Sequence, residues 1–116
     1  MSAQIKTDSI LFEIKLERIR QNRKWGEQNH PILDPQLIDR SPNRMCEEYE
    51  IPSESRAKAM CNTHVARGDV TWMHILVEEV SEIASCQDNV ELLRQELIQT
   101  AAVAVAMIES LDRNRK

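Results

Sequence analysis

The sequence predicts an all-α protein, an antiparallel four-helix bundle that oligomerises. Three observations carry that prediction. Gly occurs only twice and Pro only four times in 116 residues, and all four Pro fall between positions 26 and 52, so the rest of the chain is free of proline. Apolar residues recur at helical spacing in four segments, and no stretch shows the alternation of a strand. Aromatics make up only 3% of the residues, which leaves Leu, Ile, Val, Ala and Met to fill a core. The length suits one domain over residues 1–116.

The first helix is expected over about 8–25. Asp8 or Ser9 can cap it, "ILFEIKLERIRQNRK" carries its apolar positions, and Gly26 ends it. Residues 26–52 read as a long, partly ordered loop, and loops of that length in compact domains are often functional. Ser53, following Pro52, can cap a second helix over 53–67, stopped by Gly68. Asp69 or Thr71 can cap a third over 71–86. "QDN" then breaks the chain. Asp88, with Glu91 three residues on, has the capping-box pattern and opens a fourth helix over 89–113. Residues 97–108 of that helix are apolar around most of its circumference, more than one thin bundle covers, so a homodimer or homotetramer is expected.

The formal net charge of −4 argues against a nucleic-acid polymer as partner. Basic clusters at Arg18, Arg20, Arg23 and Lys24, and at Arg113, Arg115 and Lys116, are suited to a small anion. Cys46, Cys61 and Cys86 are odd in number and lack CxxC spacing, the usage of reduced thiols in a cytoplasmic chain. No signal-peptide core is visible, and the longest apolar run, "AAVAVAMI", is too short to span a bilayer, so no membrane association is expected.

The carboxylates of the last two helices break the usual pattern. At about 100° per residue, Glu79 falls inside the apolar arc formed by Trp72, Ile75, Leu76, Val80 and Ile83. Glu82 falls at its edge, and Glu78 lies further toward solvent. On the fourth helix Arg94, Glu91, Glu109 and Asp112 share one charged stripe, whereas Glu96 points away from it among Leu92, Val103 and Met107. Gln99 is also off that stripe. Glu79 with Glu82, and Glu96 with Gln99, are therefore two i, i+3 pairs on the inward faces of helices joined by a short turn. Acidic groups gathered in an interior repel one another unless a cation neutralises them. Mg²⁺ favours such an oxygen shell, completed by water and phosphate. The alternative is neutralisation by arginines of the basic first helix.

These residues resemble a known family. "EEVSE" (78–82) matches the EExxE motif of the MazG-like, all-alpha nucleoside triphosphate pyrophosphohydrolase superfamily, and "ELIQ" (96–99) is similar to its ExxD motif. "KWGEQNHP", "RGDVTWMHILVEEVSEI" and "LRQELIQTAAVAVAMIESLDR" look like a small bacterial and phage-type branch, over roughly half the chain. The resemblance implies that Glu79, Glu82 and Glu96 are metal ligands and catalytic residues, with Glu78 and Gln99 as further ligands, and that Mg²⁺ is the cofactor. It implies hydrolysis of a nucleoside triphosphate to monophosphate and pyrophosphate, in the service of cleaning the nucleotide pool. Gln99 stands where the superfamily has Asp. An amide oxygen coordinates Mg²⁺ but brings no charge and serves as no base. That departure opens a second expectation, a weakened module that sequesters a nucleotide or nucleotide-derived signal. On either expectation the loop after the first helix lines the substrate pocket. Trp25 offers a flat surface to a base, Gln28 and Asn29 offer amides to its edges, and Lys24 and His30 reach phosphate or ribose. The alternative there is a Trp25 that plugs the end of the bundle.

Overall fold

In the computed structural model, residues 3–38 and 40–115 are described. The basic tail's Lys116 lies outside them. Every regular element is helical: α1 (Ala3–Trp25), α2 (Pro42–Glu48), α3 (Glu54–Arg67), α4 (Trp72–Ala84) and α5 (Val90–Asn114), with one 3₁₀ turn at Pro35–Leu37. No helix among the described residues is long and apolar enough to cross a membrane.

The chain divides into two compact units. One comprises residues up to His30 together with Ala104 onward; the other runs from Pro31 to Val103. The continuous helix α5 belongs to both.

In the first unit, α1 begins at Ala3 rather than at Asp8 or Ser9, so neither of those residues caps it. Its end is as the glycine dictates. Gly26 adopts φ 67, and its amide donates to the Asn22 carbonyl at 2.8 Å. Ile10 of α1 and Val105 of α5 are buried, and the Thr7 hydroxyl donates to the Glu109 carboxylate at 2.6 Å.

The second unit holds the main core: Leu33, Met45, Cys46 and Ala84, flanked by Leu37, Ile38, Ile51 and Ile83. Six of these eight residues come from the segment expected to be a long loop. That segment folds because it carries two short cap signals. Asp34 precedes Pro35 and accepts from the Gln36 amide; Ser41 precedes Pro42 and accepts from the Arg44 amide. The resulting α2 lays the fully buried Met45 and Cys46 against α4. Tyr49 ties the segment together by accepting the Asp34 amide on its hydroxyl, at 2.9 Å.

Helix α3 starts at the Ser53 cap and closes on Gly68 at φ 77, whose left-handed conformation suits glycine. It packs against α4, with Ala57 and Cys61 buried. The α4–α5 connection departs from the expected cap. Asn89, not Asp88, accepts the Leu92 amide at 3.0 Å, and Gln87 takes a positive φ of 57 to turn the chain.

Candidate metal centre

Helix α4 positions the acidic residues, and its start is firmly held. Thr71 is the N-cap: its hydroxyl accepts the His74 amide, and the His74 ring accepts the Thr71 amide at 3.0 Å. Each satisfies a backbone group that a helix end leaves open. Two turns further on, Ser81 is fully buried and returns its hydroxyl to the Glu78 carbonyl, so a polar side chain is accommodated in the interior.

On the other side of α4, Glu79 and Glu82 meet Glu96 of α5. One carboxylate oxygen from each lies within 4.8 Å of the other two. All three side chains are half-buried. One oxygen of Glu79 and one of Glu96 are fully buried without a hydrogen-bond partner. A buried oxygen left unpaired costs roughly 1–3 kcal/mol, more if it is charged, so both call for a donor or a cation.

The electrostatics point the same way. Burial pushes the Glu82 carboxyl up to about 7, helped by its hydrogen bond to Glu96 and by the charges of Glu79, Glu96 and Glu78. Burial likewise raises Glu79, with Glu96 and Glu78 adding to it. The Cys86 thiol is raised by its burial, then by Glu96, Glu54 and Glu82. Among the described residues no ion pair to Glu79, Glu82 or Glu96 is present within their own unit. Three oxygens around one point, a buried unpaired oxygen on each of Glu79 and Glu96, and no nitrogen or sulfur in the set suit a hard divalent cation. The residues present fit Mg²⁺.

The remaining expected residues are placed differently. Glu78 is half-buried beside the cluster and directs its side chain to the Cys61 thiol. That thiol is buried, donates to the His74 carbonyl at 3.1 Å, and is pushed up to about 11, first by burial and then by Glu78. A packed, protonated thiol is what remains. Gln99 is exposed on α5. Trp25 is 52% exposed, with the Lys24 ammonium 4.9 Å from its ring centroid, so it does not plug a core. Gln28 and His30 approach each other at 3.5 Å, and Asn29 donates to Glu27 at 3.3 Å. These five residues belong to the first unit and the carboxylates to the second.

Spacing gave no sign of a further constellation. The rings of His64 and His74 stack with centroids 4.1 Å apart, and His64 pairs with Asp69 at 2.8 Å. No sequence period links a residue near the end of one helix to one in the first turn of the next. No family model matches the chain, and no curated protein or solved structure matches it.

Proposed function

We propose that the protein is a Mg²⁺-dependent nucleoside triphosphate pyrophosphohydrolase of the MazG-like kind, producing a nucleoside monophosphate and pyrophosphate. The observation that carries this reading is the group of Glu79, Glu82 and Glu96, with buried oxygens that nothing among the described residues satisfies. The likeness of "EEVSE" and "ELIQ" to the superfamily motifs supports it.

In this reading Glu79, Glu82 and Glu96 would hold the cation. Mg²⁺, when bound, supplies the positive charge that gathers the phosphates and stabilises the charge developing on them. A carboxylate oxygen of the group that is not engaged with the cation takes the proton from the attacking water. Lys24, Trp25, Gln28, Asn29 and His30 serve the nucleotide: Trp25 presents an exposed ring face, and Lys24 already lies over one side of it.

The reading brings with it an antiparallel four-helix bundle closed by oligomerisation, as a homodimer or homotetramer. Its support is exposed apolar surface. Phe12, Leu16 and Ile19 of α1 are exposed on the side opposite buried Ile10, and Leu97, Ile98 and Leu111 of α5 are exposed as well. Charge adds to it. The first unit carries nine Lys and Arg against six Asp and Glu, and the second carries six against thirteen, so the basic part of one copy suits the acidic part of another.

One observation favours a second reading, a module that sequesters an intact nucleotide. Gln99 is neutral and exposed where the superfamily has an acid, which leaves one charge fewer for turnover. Incubation with a panel of nucleoside triphosphates and Mg²⁺ separates the two. Release of pyrophosphate and monophosphate, abolished by Glu79→Gln, supports the hydrolase. Retention of intact nucleotide supports sequestration. Neither outcome, together with no thermal shift on adding Mg²⁺, removes both.

A further inference from the structure

A cavity lies between α3 and α4, on a different face of α4 from Glu79 and Glu82. Residues Met73, His74 and Val77 line it, about half a turn round the helix from Glu79 and Glu82. Its volume is about 460 Å³, within the range of roughly 300–1,000 Å³ usual for small-molecule sites. The floor is apolar: Ala57 and Met60 from α3, Met73 and Val77 from α4. The two Met are 41% and 58% exposed, and their flexible thioethers adapt to an apolar guest.

Two polar side chains line the cavity, and both offer protons. Arg56 has a guanidinium with no carboxylate or carbonyl partner among the described residues, although the surrounding segment is rich in acids. A guanidinium is a donor only and matches a carboxylate with two parallel bonds. His74 is more constrained. Its Nδ1 accepts the Thr71 amide proton at 3.0 Å, so a neutral ring carries its own proton on Nε2. That Nε2–H has no partner among the described residues, and the ring is held by the Thr71 cap on one edge and the His64 stack on one face. The cavity thus joins an apolar floor to two donors without acceptors, one of them fixed in orientation.

We propose that this cavity binds a small amphiphilic carboxylate, an apolar chain ending in one anionic group that Arg56 and His74 receive. The complementarity is of charge and of polarity: no acidic, amide or hydroxyl side chain lines the cavity to welcome a cation, and an uncharged chain leaves Arg56 unanswered. The site is independent of the carboxylate cluster and of any nucleotide chemistry there.

The test is a titration of the full-length protein with decanoate below its micelle concentration, followed by the methyl resonances of the methionines. The expected result is saturable binding that shifts Met60 and Met73 and leaves Met45 unmoved. Decanol and decyltrimethylammonium bind about ten-fold more weakly or worse, the cost of losing charge-assisted hydrogen bonds. Arg56→Gln, at an exposed position that folding does not need, weakens decanoate by a similar factor and leaves decanol unchanged. Equal affinity for decanoate and decanol overturns the proposal, as does the absence of saturation. So does movement of the Met60 and Met73 signals with protein concentration but not with decanoate, which assigns the cavity to contact between copies.

Discussion

Glu82 is held in a situation its chemistry resists. Its carboxyl is pushed up to about 7 by burial and by the neighbouring Glu96, Glu79 and Glu78, so the folded metal-free protein binds a proton there that the unfolded chain releases near pH 4.3. The sign follows from linkage. A group whose folded pKa lies above its unfolded value favours folding fully below the unfolded value and loses that contribution as pH rises toward the folded one. Metal-free protein is therefore expected to melt at higher temperature at pH 5 than at pH 8, with most of the change between about 4.3 and 7. Glu82→Gln flattens this profile and raises the melting temperature at pH 8. Thermal denaturation in chelator, wild type against variant, checks it, and an unchanged slope in the variant removes Glu82 as the cause. Mg²⁺ acts in the opposite direction, because it needs the carboxylates ionised. If the proposed site is right, added Mg²⁺ is expected to raise the melting temperature at pH 8 and progressively less on acidification, and Glu79→Gln to abolish the increase. These carboxylates were legible in the sequence because a wheel reading registers an acid in an apolar arc: Glu79 and Glu96 stand out that way, and each has a buried, unpaired oxygen. Arg56 and His74 gave no such signal. Arg56 is exposed on its helix like most arginines, and His74 looks like a surface residue until the Thr71 cap fixes its ring.

At the scale of elements, α4 organises the second unit: α2 covers one side, α3 another, and the carboxylates meet α5 on a third. Its start depends on the reciprocal bonds between Thr71 and His74. Thr71→Ala removes the hydroxyl acceptor and is expected to destabilise the fold by about 1 kcal/mol, measured as a shift in urea midpoint at constant slope. Met45 tests the opposite side of α4. It is fully buried, in a helix of only seven residues, so Met45→Ala is expected to cost roughly 2–5 kcal/mol. A cost below about 1 kcal/mol marks α2 as loosely attached. The long helices were readable from apolar period and from glycine stops, because both signals accumulate over many residues. Helix α2 was not, since a two-turn helix shows too little period. Its Ser41–Pro42 start was the visible sign, and the Asp34–Pro35 start of the 3₁₀ turn was another. The early start of α1 escaped for the converse reason: Asp8 and Ser9 are good caps by type, yet they sit inside a helix that Ala3 already begins.

At the scale of the whole molecule, helix α1 poses the remaining problem. It is apolar on two sides. Ile10 is buried in the first unit, while Phe12, Leu16 and Ile19, about half a turn away, are exposed, Phe12 by 58%. A helix that buries one stripe and leaves a second to water forfeits roughly 25 cal/mol for each Å² of apolar surface left uncovered. A single exposed hydrophobe needs no explanation, but three residues in register on one stripe, with Leu97, Ile98 and Leu111 exposed on α5, amount to a surface suited to burial. The segregation of charge suits a second copy as the cover, a basic unit against an acidic one. Replacing both Phe12 and Leu16 by Asp is expected to yield a monomer by light scattering, with α-helical signal retained because neither side chain contributes to a core. The wild-type melting temperature should rise with protein concentration, as mass action requires of an assembly, and the variant's should not. If the variant keeps the wild-type mass, the α1 stripe is not the interface. If the wild type is itself monomeric and its melting temperature does not vary with concentration, association between copies does not account for the exposed apolar surface.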